Sequence, residues 1–122
     1  MLINVTNHRI NLWDTMQTKK AEIEYGSLHD IGFPNISIDM NLEDINLIAN
    51  EYFGIISALI KTSNDKFNAV HIAGEYCFTY RLLKLLENEN IKAVTSVTER
   101  NSVEENGVKI SKFSFAGFRN YF

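Results

Sequence analysis

Apolar and polar positions along the chain fall into short blocks whose period changes at glycines and polar turns. Ala69-Val70-His71-Ile72-Ala73 has the length and composition of a strand covered on both faces. Gly74 and Glu75 interrupt it. From Tyr76 the period becomes helical, with Tyr76, Tyr80, Leu83 and Leu86 on one stripe. Strand, glycine turn and helix together form the repeating unit of an open parallel sheet.

The same grammar runs through the rest of the chain. Leu2–Thr6 reads as a first strand, ending at Asn7-His8-Arg9. A helix begins near Asp14, where Asp14 and Gln17 have the spacing of a capping box, and stops at Gly26. Leu28–Gly32 is a second strand, and Phe33-Pro34 opens a loop. Asn41 caps a long helix whose apolar face is Ile45, Ile48, Tyr52, Ile56 and Leu59. The helix after Gly74 ends in Glu87–Asn90, and Lys92–Thr98 is a β-branched fourth strand. Arg100–Gly107 reads as a polar connection with a turn at Asn106-Gly107, and Val108–Phe115 alternates as a strand paired back on the fourth. The aromatic tail Gly117–Phe122 is expected to fold back or to pack on a second subunit. The order βαβαβαββ predicts a Rossmann-like three-layer α/β sandwich. It has a mainly parallel sheet, an antiparallel C-terminal hairpin, and a single domain over 1–122.

Composition narrows the picture. With 122 residues, 45% of them hydrophobic, the chain is long enough for one core without staples. A net charge of -3 gives no footprint for long DNA or RNA, although a local phosphate site on an acidic protein remains compatible with it. The lone cysteine, Cys77, forms no internal disulfide and fits a reducing cytoplasm. No leader and no membrane-length apolar run is read. GxGxxG, GxxxxGK[ST], CxxC, HExxH and GxSxG are all absent, which argues against common dinucleotide, P-loop, zinc and serine-hydrolase sites.

In open α/β sheets ligands bind beyond the carboxyl ends of the strands. Three such ends should converge here: Asn7, His8 and Arg9; Gly74, Glu75, Tyr76 and Thr79; and Thr98, Glu99 and Arg100. Arginines clamp phosphate oxygens, a histidine moves protons near neutral pH, and a helix N-terminus favours an anion. Trp13 and Phe33 are candidate walls or stacking surfaces, with the core as their commoner fate. Glu75 is the uncomfortable member, since a carboxylate repels phosphate.

These pieces resemble one group. Thr6-Asn7-His8, Gly74-Glu75 with Thr79, Thr98-Glu99-Arg100 with Glu104, and Phe113-Ser114-Phe115 with Phe118-Arg119 look like the small CRISPR-associated ancillary proteins of type III systems, with a CARF-type fold. The resemblance implies a cytoplasmic homodimer that binds cyclic oligoadenylate, above all cyclic tetra-adenylate, across its two-fold axis. It further implies metal-independent ring cleavage by attack of a ribose 2′-hydroxyl, with no cofactor. On this chain His8 and Arg100 would then be catalytic. Asn7, Arg9, Trp13, Phe33, Gly74, Glu75, Tyr76, Thr79, Thr98 and Glu99 would bind the ligand. A sponge or sensor that does not cleave, and a dimeric interaction protein with no nucleotide, are the alternatives.

Overall fold

A computed structural model describes Met1–Phe122. Five strands form one sheet: β1 (Leu2–Thr6), β2 (Leu28–Asp30), β3 (Ala69–Ala73), β4 (Lys92–Glu105) and β5 (Val108–Asn120). Their order is β2-β1-β3-β4-β5; the first four run parallel, and β5 returns antiparallel to β4. The helices are α1 (Thr15–Tyr25), α2 (Leu42–Thr62) and α3 (Tyr76–Asn88), with one 3-10 turn at Ile10–Leu12. The expected α/β sandwich with an antiparallel hairpin is the fold. No helix is long and apolar enough to cross a membrane.

Side-chain alternation along the strands sorts the interior into two layers. Ile3, Val5, Val70 and Ile72 face α2 and α3, where Phe78, Leu82, Leu86, Ile45 and Ile56 complete the larger core. Leu2, Ala69 and Val94 face α1 and pack with Ala21, Tyr25 and Trp13. β1 is an interior strand, buried along its whole length. The chain leaves it through α1 for β2 on one side, then crosses from β2 through α2 to β3 on the other. The chain therefore reverses direction between β1 and β3, the crevice where ligands bind in such sheets.

The expected caps are formed. Asp14 accepts from the Gln17 amide, and Asn41 and Asp44 make a reciprocal box. Four readings change. β2 stops at Asp30, because the amides of Ile31 and Gly32 both turn to the Asn4 carbonyl and Gly32 has φ 74°. On α3 the buried residues are Phe78, Thr79, Leu82 and Leu86, while Tyr76 and Tyr80 are exposed. Two stripes of similar period compete there, and the one carrying Phe78 and Leu82 buries no tyrosine. Arg100–Glu105 is strand, not loop: the ribbon continues to a two-residue turn at Asn106 (φ 53°) and Gly107 (φ 78°). It projects past the sheet with both faces largely in water, so apolar alternation is not required of it. The tail extends β5, with Phe118 edge-on to Tyr25. Tyr121 then donates its hydroxyl to the Ile72 carbonyl at 2.6 Å.

The Gly74 turn is a packing device. A Cβ there would collide with the ring of Phe33, which stands edge-on to Phe78 at 5.1 Å between centroids. Gly74→Ala should therefore cost about 1–3 kcal/mol in urea unfolding. An unchanged midpoint would show that Phe33 yields at no cost and that the glycine serves something else.

Candidate functional site

The α1 side of the sheet carries a polar row inside an otherwise apolar layer. Asp30, Asn4 and His71 lie directly opposite one another on β2, β1 and β3. Ser96 extends the row onto β4. Asn4 and His71 are buried, so each polar atom needs a partner. Asn4 Nδ2 donates to Asp30 Oδ1 at 2.7 Å and to the His8 carbonyl at 3.0 Å. Both neighbours are pure acceptors, which fixes the amide's orientation and leaves Oδ1 facing the other way. Oδ1 then meets His71 Nδ1 at 2.8 Å, and Nδ1 must carry the proton. His71 Nε2 is left as an acceptor, 2.7 Å from Ser96 Oγ, whose hydroxyl donates to it. Gln17 Nε2 donates to the same Oγ at 3.2 Å. Trp13 and Phe118 stand edge-on to the His71 ring at 5.3 Å and 5.6 Å, so the imidazole is held on every side.

The loop after β1 is pinned by the same groups. The His8 carbonyl accepts from Asn4 Nδ2 and from Trp13 Nε1 at 3.0 Å. The Thr6 hydroxyl lies 2.9 Å from Asn4 Oδ1 and accepts from the His8 amide at 3.2 Å. Asp30 Oδ2 receives the Ile10 amide at 3.2 Å. The backbone of His8 is thus fixed while its side chain is exposed at a cavity of about 400 Å³. That cavity is bounded by the ends of β1 and β3, by Asp14 and Gln17 at the start of α1, and by the base of the β4–β5 ribbon. Ser96 and Thr98 line it, with Phe113 and Phe115 as its aromatic wall. A register shift at Val97/Thr98 bends the ribbon at this wall.

The predicted site residues divide into two groups. His8 and Thr98 meet at the cavity, and Trp13 is buried beneath it as a donor to the loop. Arg100 stands one step away. Its guanidinium reaches Ser111 Oγ at 3.2 Å and lies 5.8 Å from the centre of the Phe113 ring. Asn7, Arg9 and Glu99 are exposed and do not line the cavity.

The α3 group belongs elsewhere. Phe33 packs on the opposite face of the sheet, against Gly74 and the larger core. The Glu75 carboxylate accepts from the Phe78 amide at 2.7 Å and the Cys77 amide at 2.9 Å, and these bonds hold it below the usual carboxylate range. It fills the donor site that an anion would need at this helix start, so the Cys77 and Phe78 amides hold the helix's own carboxylate. Tyr76 is exposed, and Thr79 is buried with no partner for its hydroxyl. No three His, Cys, Asp or Glu side chains converge as a metal-binding group.

Asn4, Gln17, Asp30, His71 and Ser96 form a row that the sequence motifs do not point to. The available signal was a polar residue at the middle of each of two strands that are otherwise apolar. The strand pattern alone places His71 inside β3 and gives it no partner.

The comparisons with known proteins give a family. The model of the Uncharacterized protein MJ1673 family matches residues 1–119. The chain belongs to that family. No curated protein and no solved structure matches the chain.

Burial, and then the nearby His8 charge, lower the His71 pKa from 6.5 to about 4. Between these values the unfolded chain binds more protons than the folded one. Stability is therefore complete above the unfolded pKa and falls as the pH drops toward the folded one, by about 3 kcal/mol for the whole shift. Asp65, lowered from 3.8 to about 2, loses its contribution only in more acid solution. Urea unfolding between about pH 7 and about pH 5 should show the slope, and His71→Gln should flatten it. A variant that keeps the full slope would contradict a buried neutral His71.

Proposed function

We propose that the chain binds cyclic oligoadenylate, in first place cyclic tetra-adenylate, in the cavity beyond β1, β3 and β4, and opens the ring without a metal. The observation that carries this reading is a polar, aromatic-walled cavity at the reversal point of a doubly wound sheet, with one exposed histidine on a fixed backbone at its mouth. The resemblance of the strand-end motifs to CARF-type ancillary proteins supplies the ligand class.

In this reading a ribose 2′-oxygen attacks the adjacent phosphorus and the bond from phosphorus to the 5′-oxygen breaks. His8 takes the proton of the 2′-hydroxyl and returns one to the leaving 5′-oxygen. The products are a 2′,3′-cyclic phosphate and a 5′-hydroxyl on one linear strand. Arg100, carried by Phe113 beside the cavity, balances charge on the phosphate. Phe113 and Phe115 replace Trp13 and Phe33 as stacking surfaces for adenine. A symmetric ring implies two copies of the chain around it, each contributing the same residues. Such a protein would act in the cytoplasm and damp type III CRISPR signalling.

Capture without cleavage is the second reading. It is favoured by Glu75, whose carboxylate occupies the α3 amides and leaves the ring fewer anion contacts.

Incubation with cyclic tri-, tetra- and hexa-adenylate in EDTA, followed by chromatography, tests the proposal. Linear products ending in a 2′,3′-cyclic phosphate are expected from the tetra-adenylate ring, and His8→Ala should slow their formation roughly a hundredfold or more. Intact ring co-eluting with protein would leave the capture reading. Neither binding nor cleavage of any ring would overturn both.

A further inference from the structure

The hydrogen bonds across the sheet all run in one direction. Asn4 donates to the Asp30 carboxylate, His71 donates to Asn4, and Ser96 donates to His71. No member can reverse unless the Asn4 amide turns over, and that would set its Nδ2 hydrogens against the Nδ1–H of His71 and its oxygen against a carboxylate and a carbonyl. Ser96 has therefore spent its only hydrogen. Gln17 fills one of its lone pairs, and the other lies on a residue that lines the cavity. The only group that completes Ser96 is a hydrogen-bond donor.

We propose that Ser96 Oγ accepts a hydrogen bond from a ribose 2′-hydroxyl of the bound ring other than the one that attacks, and so makes the site selective for ribonucleotide over deoxyribonucleotide. The proposal rests on the cyclic-nucleotide reading and adds a specificity residue to it. A bare phosphate oxygen is an acceptor and finds nothing at Ser96; a hydroxyl does. The chain of donors ending on Asp30 polarises each bond in the same sense and strengthens the last one. This is recognition and not proton abstraction. His71 is buried without a carboxylate of its own, since Asn4 stands between it and Asp30, and it stays neutral. Proton transfer remains with His8.

Calorimetric titration with cyclic tetra-adenylate and with its all-2′-deoxy counterpart tests the assignment. The wild-type chain should bind the ribose ring roughly tenfold more tightly, the worth of about one good hydrogen bond. Ser96→Ala should bring the two rings to near-equal affinity by weakening the ribose ring alone, and Ser96→Thr, which keeps the hydroxyl, should restore the preference. A preference that survives Ser96→Ala, or equal binding by the wild type, overturns the role of Ser96 and leaves the ring reading standing. Failure of both rings to bind overturns the ring reading and this role with it.

Nitrogen-15 spectra of the unliganded wild-type protein check the donor direction with no variant to fold. A protonated Nδ1 and bare Nε2 on His71 are expected, and the opposite tautomer overturns the proposal.

Discussion

The side-chain amide of Asn4 holds the carboxyl end of the sheet together. It lies in the middle of the interior strand β1, fully buried, and joins four groups from three parts of the chain. Its nitrogen binds β2 through Asp30 and the following loop through the His8 carbonyl. Its oxygen binds β3 through His71 and lies beside the Thr6 hydroxyl. Losing the amide would strand a buried imidazole N–H and loosen the loop, a far larger penalty than one hydrogen bond is worth when both partners are present. The tautomer of His71, the donor direction of Ser96 and the fixed backbone of His8 all follow from this one orientation.

The position of the amide explains why the cavity forms where it does. Leu2, Ala69 and Val94 make the α1 side apolar at the amino ends of the strands. One step along, the same side turns polar with Asn4, His71 and Ser96. Helix α1 begins over this polar zone, with Gln17 reaching Ser96. The ribbon bends at Val97/Thr98 and brings Phe113 and Phe115 over as a wall. The opposite side stays apolar throughout and carries α2, α3 and the Phe33–Phe78–Tyr52 aromatic contacts. One side of the sheet is a dry packing face, and the other carries the buried polar row and the cavity above it.

Much of the fold was legible because strand length, glycine turns and caps act locally. Asp14, Asn41 and Asn106-Gly107 each do what their residue types allow. The ribbon beyond Arg100 was not legible, because a strand with water on both faces has no apolar signature. The α3 stripe was misread because tyrosines and leucines share a helical period, and only the sheet decides which are covered. Of the predicted site, His8 and Thr98 meet because β1 and β4 flank β3 in parallel, and the cavity lies beyond the end of β3. The Gly74–Thr79 group fails to join them because Glu75 satisfies its own helix and Phe33 fills the space over Gly74. The Asn4–His71–Ser96 row depends on strand register, which pairs residues far apart in sequence. No spacing along the chain reveals that pairing.

A ring nucleotide in the α1-side cavity, as proposed, would touch the residues that line it. The most direct measurement is to titrate cyclic tetra-adenylate into isotope-labelled protein and follow the backbone and side-chain signals. Shifts are expected at His8, His71, Ser96, Thr98 and Phe113, with Gly74, Tyr76 and Thr79 unmoved. Shifts confined to the α3 turn, or none on this face of the sheet, would contradict the proposal.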